Sequence, residues 1–301
     1  MAKDTVDTKH LELAEENITY EIDEEAYIGT SLYRELERDA IADFIKHGTS
    51  PDGLSILDIG TRDGVMLDEL LRRDVGLGRG PIRLVGMDFA RAPLVASRAS
   101  GRSRRLELVQ AAGEHVPFSQ ETFGVVICAF GVYSYVHQPE LMHEVHRVLH
   151  PDGIAVFTAY NREGIVRSLQ LGSGGTDAVA VRIDKAGRNL IIPGGRRISL
   201  FSLPDRAQFG RELEANGFDV LGIRCYPSQI LMRTVAETKR RLRPRHLCAG
   251  KTCPICSEPF SPSDRRRLKQ SEVTFEKAQR RAGLSPYGLY LIALTRKAEA
   301  A

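Results

Sequence analysis

The chain has 301 residues, 42% of them hydrophobic, and a net charge of +3, which is enough apolar content for one large or two modest folded domains. No apolar run reaches the roughly 18 residues that cross a bilayer, and the acidic first thirty residues lack the apolar stretch of a secretion signal, so no membrane role is read and the expected compartment is the cytoplasm. Charge is unevenly placed: residues 1–50 hold 13 carboxylates against 5 Lys or Arg, and residues 228–285 hold 14 basic against 5 acidic side chains, so the two ends are set to attract each other.

Residues 1–52 read as partly helical and stand ahead of the regular pattern as a lid segment. From residue 55, short apolar runs alternate with amphipathic stretches, the rhythm of βαβ units and a parallel sheet. Strands are predicted at 55–59, 83–88, 106–110, 123–130 and 154–159, and helices at 65–73 and 139–149. The break His150-Pro151-Asp152-Gly153 ends the second helix by turn chemistry. Residues 161–200 form an insertion with the Gly-rich run 171–175 and a hairpin over 178–200. A helix over 204–216 stops at Gly217, a strand follows over 218–224, and a last strand covers 287–296. Residues 226–286 are a basic, Cys-containing insertion. The expected division is a leading segment 1–52, a core 53–225, the insertion 226–286, and a final strand and tail 287–301.

The strongest local signal is Ile56 to Gly64, ILDIGTRDG, in which a buried strand carrying Asp58 runs straight into a Gly turn that opens a helix. In doubly wound sheets ligands sit at the carboxyl ends of the strands, and Gly60 and Gly64 allow backbone to approach them closely. The dinucleotide fingerprint G-x-G-x-x-G is absent. Three further motifs follow in order: Asp88 at the end of LVGMDFA, the run Ala111-Ala112-Gly113-Glu114-His115-Val116-Pro117-Phe118, and residues 123–157 as strand, loop, helix and Pro-Asp-Gly turn.

With these four motifs the chain resembles the class I methyltransferases, especially the group that includes quinone-biosynthesis and natural-product enzymes. The resemblance covers residues 50–160 well and 200–225 loosely. It departs at Arg62, where the family has its central Gly, and at Ala112, where the family usually has Asp. It implies a Rossmann-like α/β fold, a seven-stranded mostly parallel sheet with helices on both faces and two insertions, and S-adenosylmethionine as cofactor. It further implies a cofactor set of Asp58, Gly60, Thr61, Gly64, Asp88, Phe89, Gly113, Glu114 and Phe130. Asp88 would accept hydrogen bonds from ribose hydroxyls, Phe89 would flank the adenine, and Gly113 and Glu114 would present backbone groups to it.

Methyl transfer from a sulfonium rests on alignment and exclusion of water, with a base needed only where the nucleophile arrives protonated. Residues placed to act are Tyr133, Tyr135, His137, Tyr160 and Asn161. His137 is the general-base candidate, since an ordinary imidazole titrates near neutrality. His143 and His146, three apart on one helix, read as surface positions.

The stretch 245–260 holds His246, Cys248, Cys253 and Cys256. A Cys-Pro-x-Cys step directs two thiolates at one cation, and structural zinc takes four ligands, the fourth being His246 or the more distant Cys225. An iron–sulfur cluster is the alternative metal reading. Zinc would staple an insertion poor in apolar residues.

The expected function is methylation of a small-molecule acceptor at O, N or C. The alternative is an RNA or protein methyltransferase that grips its substrate with the basic insertion; between 228 and 285, however, only Phe260 and Phe275 are aromatic, too few for a base-stacking surface. A third class is a partner that binds the donor without turnover.

Overall fold

The computed structural model describes residues 31–48, 54–72, 82–99, 105–165, 182–183, 189–191, 197–199, 201–226, 231, 234, 261–281, 288 and 290–298. Ten strands and seven helices organise these residues. In chain order they are α1 (Ser31–Gly48), β1 (Ser55–Ile59), α2 (Val65–Arg72), β2 (Arg83–Asp88), α3 (Arg91–Ala99), β3 (Glu107–Gln110), β4 (Phe123–Cys128), α4 (Val132–Tyr135), α5 (Gln138–Val148) and β5 (Leu149–Tyr160). There follow β6 (Arg182–Ile183), β7 (Asn189–Ile191), β8 (Arg197–Ser199), α6 (Arg206–Ala215), β9 (Phe218–Tyr226), α7 (Pro262–Arg281) and β10 (Tyr290–Lys297).

Seven strands form one sheet in the order β3-β2-β1-β4-β5-β10-β9. Neighbours from β3 to β5 pair in parallel, and β10 runs antiparallel to both β5 and β9. The expected seven-stranded, mostly parallel sheet is therefore present. Its central strands are apolar almost without interruption because both faces are covered.

Alternate residues of these strands serve opposite cores. One face carries Ile56, Val125, Ile127, Ile154, Val156 and Ile292 against α1 and α2. The other carries Leu57, Ile59, Val126, Phe157 and Ala293 against α5 and α6. The sheet is thus the middle layer between two helical layers. Fully burying one such Leu or Ile contributes about 1.5–3 kcal/mol.

Of the segment expected to precede the sheet as a lid, the described part is α1, and it is a wall of the first core. Leu32, Ile41 and Ile45 are fully buried there. The basic insertion contains the 20-residue α7. Arg265 pairs with Glu35, and Lys269 lies 2.8 Å from Asp39, so acidic α1 and basic α7 meet as their charges suggest. The 161–200 insertion places β6, β7 and β8 in a small antiparallel sheet. No helix among the described residues is long and apolar enough to cross a membrane.

Candidate functional site

The parallel register aligns the carboxyl ends of β1, β2 and β4. Asp58 lies beside Gly86 on one flank and Ile127 on the other. Beyond Ile59 the chain turns sharply, with positive φ at Gly60 (74°), Arg62 (54°) and Gly64 (75°). Two backbone amides, from Gly60 and Thr61, donate to the Met87 carbonyl at 2.8 and 3.0 Å. This ties the turn to β2. At Gly60 a side chain is excluded twice over, by φ and by space, since a Cβ there would lie 2.4 Å from Val132 Cγ2.

Asp88 completes the turn from the neighbouring strand. Its Oδ2 accepts from the Arg62 amide at 2.7 Å and its Oδ1 from the Ala90 amide at 2.9 Å. The first bond explains how Arg62 takes the left-handed conformation that glycine ordinarily fills, because a charge-assisted bond to its amide offsets the strain. Burial raises the Asp88 pKa, and the Ala90 and Arg62 amides oppose that rise. The carboxylate keeps acceptor capacity beyond these amides.

Asp58 is 2% exposed. Burial pushes its pKa up to about 7; the neighbouring Thr61 side chain works against this, and the like charges of Asp88 and Asp63 add to it. A buried acid that titrates near neutrality, beside a second carboxylate, suits the neighbourhood of a cationic ligand. The Thr61 side chain itself stands over Gly86, where its methyl would lie 2.8 Å from a Cβ.

The loop after β3 forms a third wall. Gly113 is confined between Leu141 and Ile59, whose methyl groups would lie 3.1 and 3.2 Å from a Cβ. Two α5 side chains hold this loop. Glu144 accepts the Val116 amide at 2.7 Å, and Arg147 donates to the carbonyls of Phe118 (2.7 Å) and Val116 (2.8 Å) while paired to Glu144. The nearby Glu114 carboxylate accepts the His137 amide at 3.1 Å. Phe89 is half-buried, and its carbonyl accepts from Gln110 Nε2 at 3.0 Å.

The turn after β4 faces the Gly60 turn. Phe130 and Gly131 both have positive φ, 55° and 81°. The Phe130 amide donates to Glu37 of α1 at 2.8 Å, and the Gly131 amide to Thr158 Oγ1 at 2.7 Å. Tyr135 and Tyr160 share a hydroxyl–hydroxyl hydrogen bond of 2.8 Å.

The groups proposed to act divide accordingly. His137 stands at the exposed N-terminus of α5 with its ring on Glu140 and its edge toward Phe201. Tyr133 is fully buried and donates to Glu212 at 2.6 Å; burial and that carboxylate hold its proton firmly. Asn161 is also fully buried and donates to the Gly288 carbonyl at 2.8 Å, which joins β5 to the approach to β10. Tyr135 and Tyr160 remain at the carboxyl end of the sheet. His143 is exposed, whereas His146 packs edge-on against Phe218.

Of the expected metal set, Cys225 is described: it is half-buried in β9 opposite Leu291 of β10. His246, Cys248, Cys253 and Cys256 lie outside the described residues. Among the described residues no group of three or more His, Cys, Asp or Glu side chains is arranged to hold a metal. Sequence reasoning passed over Glu37, Glu144, Arg147 and Thr158. The first sits in an acidic run, and the others lie in regular elements where polar residues are common.

Comparison with known proteins agrees with this architecture. Residues 57–157 match the family model of the methyltransferase domain. A 2-phytyl-1,4-naphtoquinone methyltransferase of Thermosynechococcus vestitus is 36% identical over 114 residues, which cover 37% of this chain and 48% of that one. A ubiquinone/menaquinone biosynthesis C-methyltransferase of Geobacter sulfurreducens is 29% identical, covering 36% of this chain and 43% of that one. The chain thus spans about half the length of these curated relatives. The solved 1,6-didemethyltoxoflavin-N1-methyltransferase of Burkholderia thailandensis, with bound 1,6-didemethyltoxoflavin and S-adenosylhomocysteine, superposes with a TM-score of 0.53 at 12% identity. That likeness covers 99% of this chain and 93% of that one and concerns the fold. Residues 57–157 therefore match a methyltransferase domain, and the seven-stranded sheet that holds them shares its fold with the toxoflavin methyltransferase structure.

Proposed function

We propose that the protein transfers a methyl group from S-adenosylmethionine to a small-molecule acceptor. The observation that carries this reading is the turn after β1, bound through the Arg62 amide to the buried Asp88 carboxylate at the carboxyl end of the sheet. The residues present fit the donor. Asp88 has acceptor capacity for ribose hydroxyls, the Gly60 turn admits close backbone approach, and Asp58 offers a buried carboxylate near a cation. Gly113, Glu114 and Phe89 border the adenine side, and Thr61, Gly64 and Phe130 shape the remaining walls. When bound, the donor supplies a methyl group on a positively charged sulfonium.

The chain's own part is to align and to exclude water. The turns after β1 and β4 set the two sides of the cleft, and the Glu144–Arg147 pair holds the loop after β3. In this reading Tyr135 and Tyr160 orient an acceptor through hydroxyls, and His137 takes a proton from one that arrives protonated. The named activities of the quinone and toxoflavin relatives support a small acceptor.

Calorimetry with S-adenosylhomocysteine tests the donor site. Asp88→Ala should weaken binding by roughly 1.5–3 kcal/mol, the scale of hydrogen bonds to a charged group, and unchanged affinity in a folded variant would remove Asp88 from the site. Isotope-labelled donor offered with separate pools of metabolites, RNA and protein tests the acceptor, with label expected in metabolites. Reversing the exposed Arg266 and Arg267 should leave that transfer intact; a large, salt-dependent loss would favour a nucleic-acid substrate.

We also propose that the basic insertion carries one structural zinc on Cys248, Cys253 and Cys256 with His246 or Cys225. Anaerobically purified protein should contain close to one zinc per chain, and Cys253→Ser should lose it while donor binding survives. Protein free of transition metal would refute the site, and iron with visible absorption would replace zinc by a cluster.

A further inference from the structure

We propose that Glu37, on the helix ahead of the sheet, is a positioning residue for the donor cleft: it fixes the turn after β4. This rests on the methyltransferase reading of the cleft. The Glu37 side chain emerges from the apolar side of α1 among Leu32, Leu36, Ala40 and Ile41, and the residue is 1% exposed. A carboxylate at that depth costs several kcal/mol of desolvation unless it meets a donor. It meets the amide of Phe130 at 2.8 Å.

Phe130 is the residue that needs such a partner. A bulky side chain at φ 55° is strained, and Gly131 continues the same hand at φ 81°. Two successive left-handed residues turn two amides away from the strand ladder, and an unpaired buried amide is costly. Glu37 takes the first and Thr158 the second. The turn is held from two different elements, one in the sheet and one ahead of it.

The turn held this way bears directly on the donor turn. Val132, two residues beyond Phe130, fills the space over Gly60 where a side chain would otherwise stand. A shift of Phe130 therefore moves the contact that shapes the Gly60 turn. On its outer side α1 is gripped by α7, through Arg265 on Glu35 and Lys269 on Glu35 and Asp39. The helix is seated by apolar contacts below and ion pairs above, and Glu37 is the side chain through which it holds the Phe130 amide.

The test measures S-adenosylhomocysteine binding by calorimetry, at a temperature where circular dichroism shows every variant folded. Glu37→Ala should weaken binding at least about tenfold, whereas Glu37→Gln, whose side-chain carbonyl still accepts the Phe130 amide, should stay within about threefold of the wild type. Leu32→Ala serves as the control, because it loosens the same helix without touching that amide; it should lower thermal stability yet stay within about threefold in affinity. Wild-type affinity in Glu37→Ala, failure of Gln to rescue, or equal weakening by Leu32→Ala would overturn the proposal. A wild-type protein that does not bind S-adenosylhomocysteine would instead overturn the methyltransferase reading and the inference with it. Should Glu37→Ala not fold, hydrogen exchange of the wild type decides: the Phe130 amide should be strongly protected, and rapid exchange there overturns the assignment.

Discussion

Asp58 shows how a single buried acid shapes the behaviour of the protein with pH. Its pKa of about 7 means that the folded chain holds a proton which the unfolded chain, with an ordinary carboxylate near pH 4, gives up. Between pH 4 and 7 the folded state thus binds more protons than the unfolded state, and this residue's contribution to stability is full below that window and lost as pH rises through it. The loss is of order 4 kcal/mol at most. In Asp58→Asn that dependence disappears, so the fall in melting temperature between pH 5 and pH 8 should be smaller than in the wild type. Equal falls in scanning calorimetry would show that Asp58 titrates in its usual range. At this scale the sequence was readable in part. Asp58 and Asp88 stand out because each ends an apolar run, where a charge needs a reason. Arg62 stands out only as a residue at a glycine position and Phe130 not at all, since the acceptors that hold their amides come from Asp88 and Glu37 far along the chain.

Helices and strands were unequally legible, for a physical reason. β1 and β2 match their expected bounds, and β4 and β5 match in place, because strands buried on both faces must be apolar. β5, however, starts at Leu149 and runs through the exposed His150-Pro151-Asp152 and Gly153 that were expected to form a turn. The short α3 escaped notice; it buries only Leu94 and Ser97 and so has almost no apolar stripe. The long α7 escaped because its sequence is polar nearly all round, and its acidic partners lie some 230 residues away. The fixed loop after β3 is likewise an effect of element on element. Arg147→Ala removes two bonds to loop carbonyls and leaves Glu144 without its ion pair. Its stability should fall by about 1–3 kcal/mol. Hydrogen exchange should quicken at Val116 and Phe118 and stay slow in β1; unchanged exchange in the loop would mean that Glu144 and the backbone hold it alone.

Across the whole molecule the uneven charge becomes an internal attraction. Part of the basic surface of α7 is spent on α1, which leaves Arg266 and Arg267 outward. The Arg265 and Glu35 side chains are 21% and 27% exposed, so screening by water keeps their worth near 1 kcal/mol or below. Glu35→Arg should lower stability by about that amount, more at low salt, and Arg265→Glu added to it should recover part of the loss. Denaturation curves at two salt concentrations would show it, and additive losses in the double variant would mean that the pair does not couple. The sheet order has a different consequence, for synthesis on the ribosome. β10 lies between β5 and β9, yet more than sixty residues separate the end of β9 from its start. While that length is being translated, β5 and β9 each present an open edge toward the place of a strand not yet made. The nascent chain therefore passes through a stage with two unpaired ladders, in which neighbouring chains on one messenger compete with β10 for the same hydrogen bonds. Release of the last strand from the exit tunnel ends that competition, so the yield of native protein should rise when translation across the basic insertion is fast.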